Sequence, residues 1–142
     1  MVRSTAMEYL TDKDGEKIRD YMIRSLLKKR ALEGMRLNDE YWCIAIDGTQ
    51  IASFDKEHCE HCLKRTYKNK DTGKVERIDY FHNVLEAKLI VGNMAFSVAT
   101  EFIENENVEY DKQDCEINAA KRLLKKLKNK FKKLPICILG DS

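Results

Sequence analysis

Two aspartates close two short apolar runs, Tyr41-Trp-Cys-Ile-Ala-Ile-Asp47-Gly-Thr49 and Pro135-Ile-Cys-Ile-Leu-Gly-Asp141-Ser142. Mg²⁺ prefers oxygen ligands and usually takes one or two carboxylates, filling its other positions with water and phosphate oxygens. Two such ions held by a few carboxylates can activate a hydroxyl nucleophile and stabilise the leaving oxygen of a phosphodiester. Without a cation, two carboxylates at one site repel, and one tends to keep its proton. Asp47 and Asp141 are therefore the candidate ligands for Mg²⁺ or Mn²⁺ and the candidate catalytic pair. Gly48 would let the backbone pass close to a substrate, and Thr49 adds a hydroxyl. An aspartate after a strand is also ordinary turn chemistry, so a structural role stays open.

A second constellation is His58-Cys59-Glu-His61-Cys62. Cys59 and Cys62 have the spacing that grips Zn²⁺, and His82 or a nearer histidine could complete a tetrahedral set. A second Cys-x-x-Cys is absent, so reduced, metal-free cysteines are the alternative. Bound zinc would fold a polar insertion that has little core of its own and present Lys64, Arg65 and Lys68 to DNA.

These residues need elements to position them. Apolar positions Ile18, Tyr21, Met22, Leu26 and Leu32 predict a leading helix over 16–32, with Gly34 where a C-cap would stand. A strand is expected from Tyr41 to about Ile46, apolar throughout as befits burial on both faces. Val84 to Val91 and Met94 to Glu101 form a predicted hairpin around Gly92-Asn93. Ile117, Ala120, Leu123, Leu124, Leu127, Phe131 and Leu134 keep to one face of a helix that Pro135 ends, and Ile136 to Leu139 makes the last strand. A right-handed crossover then lays this fourth strand parallel to the first, so that Asp47 and Asp141 meet at one sheet edge.

Several strings occur in the order seen in one family: IAIDGTQ at 44–50, HCEHCLKR at 58–65, YFHNVLEAKLI at 80–90, EFIENE at 101–106, KQDCEINAAKRLL at 112–124 and ICILGDS at 136–142. In these the chain resembles the DDE-type transposases of bacterial insertion sequences, from about Leu32 to its last residue. The resemblance implies an RNase H-like core, and DNA cleavage and strand transfer with Mg²⁺ at element ends. It makes Asp47 the first catalytic aspartate and Asp141 the second. The family's third carboxylate, a glutamate on a later helix, has no counterpart here; Glu116, in the first turn of the long helix, is the local candidate, its alternative role being to stabilise that helix N-terminus. The expectation is an α/β, RNase H-like mixed sheet of three antiparallel strands, a crossover helix and a parallel fourth strand, incomplete at the C-terminus. Residues 1–40 would be a helical lead-in and 41–142 a partial catalytic domain with a Cys/His-containing insertion at 48–83, the front portion of a larger enzyme that is inactive alone.

At 142 residues and 43% hydrophobic composition, the chain suits one domain with a real core. Its formal charge of +2 hides an acidic stretch from Glu101 to Glu116 followed by a basic one from Lys121 to Lys133. A basic helical face can meet phosphates or simply be solvated. No window approaches the about 18 apolar residues of a membrane span, and no apolar leader is evident, so a cytoplasmic, nucleoid-associated location is expected with no membrane partner. The five cysteines read as reduced thiols. The expected partner is DNA at transposon ends. A sheet without later helices on one face should expose apolar surface and associate into homo-oligomers. A competing reading is a non-catalytic, zinc-organised module that binds DNA or a protein partner.

Overall fold

The computed structural model describes residues 11–104 and 114–140, and Asp141 lies outside the described residues. Helix α1 (Asp12–Lys28) starts where the Thr11 N–H and hydroxyl donate to the Asp14 carboxylate at 2.8 and 2.6 Å, satisfying donors that a first helical turn leaves open. Hydrogen bonds from Lys17 and Thr11 hold the Asp14 carboxyl well below its ordinary range. The inward residues are Ile23, Leu26 and Leu27, whereas Ile18 and Tyr21 are exposed. The helix thus begins and ends earlier than its apolar spacing suggests. Leu32 reaches the core from the turn after it, and Gly34 (φ +83°) serves that turn, the C-cap being Lys29.

Five strands form one mixed sheet: β1 (Trp42–Phe54), β2 (Leu63–Lys68), β3 (Val75–Val91), β4 (Met94–Ile103) and β5 (Ile136–Gly140). β3 lies antiparallel to β1 along its length, while β2 and β4 share its other side, β2 on the first half and β4 on the second. Helix α2 (Glu116–Lys130) crosses back and delivers β5 parallel to β1, pairing Trp42 with Ile136 through Ile46 with Gly140. The first, third, fourth and fifth strands therefore have the pairing and directions that the sequence predicts. The segment read as a polar insertion is the outer half of β1, then β2, then the first half of β3.

One face carries the core. Ile44 and Trp42 on β1, Leu85, Ala87 and Leu89 on β3, and Val98, Ala99 and Ile103 on β4 pack with Ala119, Leu123 and Leu127 of α2. By register, Cys43, Ala45, Ile90, Cys137 and Leu139 occupy the opposite face. Leu139 and Phe102 are about half exposed, at 49% and 50%, which leaves apolar surface where the sequence anticipated it.

The outer edge of β4 is closed by α2 itself. Arg122 donates to the Phe102 carbonyl at 3.0 Å, Lys126 to Thr100 at 3.4 Å and Lys130 to Val98 at 3.0 Å. Four helical residues rise about 6 Å and two strand residues about 6.6 Å, so cations four apart meet carbonyls two apart. Unpaired edge carbonyls invite pairing with other chains, and this ladder blocks it. Arg122 also binds Glu101 at 2.6 Å and Asp114 at 2.7 Å, and Lys126 pairs with Glu101. The Asp114 hydrogen bond, and then the Glu101 one, raise the Arg122 pKa against its partial burial. Burial alone would raise the Asp114 carboxyl, but hydrogen bonds from Arg122 and the Cys115 N–H outweigh it and lower its pKa. Part of the basic helical face is thereby committed to structure.

Candidate metal centre and carboxylate cleft

Cys59 and Cys62 stand on the turn before β2, and His82 follows Phe81 on β3, the cross-strand partner of Leu63. The hairpin register therefore sets His82 beside the cysteines. The two sulfurs are 3.8 Å apart, and each lies 3.4 Å from His82 Nε2. Cys62 is buried, and Cys59 and His82 are half-buried. These three side chains could hold a metal ion. The Cys62 N–H also donates to the Cys59 carbonyl at 3.2 Å, closing a tight turn. Burial pushes the Cys59 thiol up, the Cys62 sulfur adds to this, and the His61 and Cys62 N–H groups donating to the Cys59 sulfur oppose it. His58 stacks on Phe54 with ring centroids 4.5 Å apart, and Phe54 meets His82 edge-on at 5.8 Å. His61 lies 3.6 Å from Glu60.

Asp47 is exposed on β1, one residue beyond Ile46–Gly140, the last β1–β5 pair among the described residues. It lines a cleft with Ile46, Gly48, Leu85, Glu116, Leu124, Ile138 and Gly140. Glu116 opens α2, and its Oε1 comes so near Gly48 that a Cβ there would lie 2.9 Å away. Only a residue without a side chain lets this carboxylate sit against β1. Neither Asp47 nor Glu116 is ion-paired with a Lys, Arg or His among the described residues. Glu116 reaches the cleft on the Gly48 side of β1, and Asp47, one residue along, shares the register face of Cys43 and Ala45. Glu86, which sequence reasoning passed over, is the cross-strand partner of Asp47 and pairs with Lys88 at 3.3 Å; the signal was in the β1–β3 register.

Of the other predicted residues, Lys64 pairs with Glu57 at 3.3 Å and lies over Tyr80 at 5.5 Å. Arg65 covers Phe81 at 5.0 Å, and Lys68 is exposed at the end of β2. Cys115 is the exposed residue preceding α2. Glu101, farther along β4, is taken by the ladder.

Comparison with protein-family models, with curated proteins and with solved structures gives no match to this chain. What the geometry defines is a mixed α/β sheet carrying a candidate metal centre and a carboxylate cleft. Among the described residues, no helix is long and apolar enough to cross a membrane.

Proposed function

We propose that the chain is the catalytic core, or a part of it, of a DDE-type transposase: an RNase H-like domain that cleaves and joins DNA by metal-dependent phosphoryl transfer. The observation that carries the reading is the cleft where Asp47, Glu116 and Gly140, the residue before Asp141, come together. The resemblance of the ordered strings from 44–50 to 136–142 to such transposases is its other support. Asp47 and Asp141 would hold Mg²⁺ or Mn²⁺, with Glu116 supplying the third carboxylate that the family takes from a later helix. Mg²⁺, when bound, supplies Lewis acidity toward a phosphodiester oxygen. Asp47 would fix the attacking and scissile groups from the β1 side and Glu116 from the α2 side, while Gly48 lets the DNA backbone approach. The test is Mn²⁺-dependent nicking of supercoiled plasmid. Loss in Asp47→Asn and Asp141→Asn, and a drop of about 100-fold in Glu116→Gln, is expected for a metal-ligand carboxylate. Nicking that survives Asp47→Asn, or a folded chain in which Mg²⁺ leaves the Asp47 and Glu116 resonances unmoved, contradicts this use of the cleft.

A second observation favours zinc at the other site. Bonds of about 2.3 Å to sulfur and 2.05 Å to nitrogen at the tetrahedral angle require separations of about 3.8 Å (S···S) and about 3.6 Å (S···N). The observed 3.8 and 3.4 Å fit that set. Zn²⁺ here would fasten the base of the β2–β3 hairpin. In the alternative reading this centre alone defines a DNA- or partner-binding module, and the aspartates are structural. That reading expects Cys59→Ser to abolish DNA binding and Asp47→Ala to leave it intact.

A further inference from the structure

The hairpin made by β2 and the first half of β3 extends from the Cys59–Cys62–His82 cluster and has no core of its own beyond its base. Leu63 and Phe81 are buried there, but from Lys64 to Thr66 and from Val75 to Ile78 the side chains are exposed. Between Leu63 and Phe81 it carries six basic and three acidic residues. Two of the acids are engaged within the hairpin: Glu76 accepts from Asn69 Nδ2 at 2.7 Å, and Asp79 pairs with Arg77 at 2.8 Å. Arg65, Lys68, Lys70 and Lys74 have no carboxylate partner among the described residues.

The tip that carries the three lysines is built, not loose. Asn69 Oδ1 accepts the N–H groups of Asp71 and Thr72, both at 3.0 Å, and the Asn69 and Gly73 N–H groups close the turn at 2.8 and 2.9 Å. Gly73 takes φ +68°, which a residue with a Cβ rarely adopts. Behind the tip, Arg77 lies over Tyr67 at 4.6 Å, stiffening the ribbon. At the other end, a groove lined by Arg65, Phe81, Asn83 and Glu116 runs from the hairpin base to the start of α2. Glu116 belongs to this groove and to the Asp47 cleft alike.

We propose that the β2–β3 hairpin is an arm that holds double-stranded DNA by its phosphates, through Lys68, Lys70 and Lys74 at the tip and Arg65 at the base. The occupant follows from charge and continuity: a rigid tip of unpaired cations suits a polyanion, and from Arg65 at the base the groove, which Asp114 also lines, leads toward Glu116. A two-stranded ribbon is also narrow enough to enter a major groove. The proposal rests on the DNA-processing reading above and adds the surface that holds the DNA. It moves the binding residues away from Lys64, which is paired with Glu57, toward the tip.

The test is fluorescence anisotropy of a labelled DNA duplex titrated with the full chain at several salt concentrations. The parent is compared with Lys68→Ala/Lys70→Ala/Lys74→Ala and with a control of equal charge loss on α2, Lys121→Ala/Lys125→Ala/Lys128→Ala. Losing three phosphate contacts should lower the slope of log K against log salt by about 2.7 and weaken binding at least about tenfold near 0.1 M salt. That result in the tip variant, with a near-parental control, supports the arm. Equal loss in both variants shows an effect of overall charge and overturns it. A tip variant that binds like the parent also overturns it, while the cleft assignment, tested separately by nicking in Asp47→Asn, still stands. A folded parent that binds no duplex overturns arm and reading together.

Discussion

Replacing Cys59 with serine should unfasten the hairpin base, and the size of the effect can be worked out. The three ligand atoms already stand 3.4 to 3.8 Å apart, so little reorganisation precedes metal binding. A ligand bound only by the folded state stabilises it by about 2.7 kcal/mol at a hundredfold excess over its Kd. For a domain of this size about 1 kcal/mol shifts Tm by roughly 3 °C, so zinc should raise Tm by about 8 °C. The assay is a thermal scan of the full chain, first with chelator and then with Zn²⁺, alongside Zn²⁺ quantified after gel filtration. One zinc per chain and the upward shift are expected in the parent, and neither in Cys59→Ser or His82→Ala. Co²⁺ substitution should add the charge-transfer absorption of a thiolate ligand, which a nonspecific surface site lacks. A parent that carries no zinc and melts at the same temperature with and without it refutes the centre.

Three further outcomes follow from the packing. Arg122→Ala leaves Glu101, which is 8% exposed, to Lys126 alone and removes the partner of Asp114, and should cost about 2 kcal/mol, measured as a lower urea midpoint at unchanged slope; an unaltered midpoint would contradict the ladder's role. Because the Asp114 carboxyl is held below its ordinary range, its contribution is present above the unfolded carboxylate pKa of about 3.9 and is lost as pH falls through the lowered value; Asp114→Asn should therefore flatten the acid limb of a stability–pH curve. Gly48→Ala places a Cβ 2.9 Å from Glu116 Oε1. Since that oxygen ends a flexible side chain, folding stability should change by less than about 0.5 kcal/mol while Mn²⁺ affinity at the cleft falls, as calorimetry can read out.

The strands that bury apolar side chains were legible in the sequence because their residues alternate or run apolar without interruption, as in Ile44 to Ile46 and Val84 to Val91. Strand β2 was not. Its burial runs from one buried residue to exposed ones, and cation–aromatic pairs hold it where an apolar core would leave a pattern. The outer half of β1 was missed for the same reason, Asp47-Gly-Thr-Gln reading as a break although the ladder to β3 continues through it. In α2 the inward stripe was recognised, but Ile117 and Leu124 are exposed at 68% and 43% and line the cleft. In α1, Ile23 and Leu27 face inward in place of Ile18 and Tyr21, because the sheet edge and α2 meet the helix along the row that pairs Asp20 with Lys130 at 2.7 Å. The cysteine and histidine spacing marked the metal centre, and only the hairpin register singled out His82 from the other two histidines. For the cleft, sequence supplied Asp47 and Glu116, and the contact at Gly48 is what sets Glu116 against β1.

The most direct test of the carboxylate cleft is a Mg²⁺ titration of the isotope-labelled chain, followed by NMR and repeated with Asp47→Asn and Glu116→Gln. Shifts centred on Asp47, Gly48, Glu116 and Gly140, weakened or lost in each variant, are the predicted result. Resonances of these residues that stay unmoved by Mg²⁺ in a folded chain would contradict the proposed phosphoryl-transfer site.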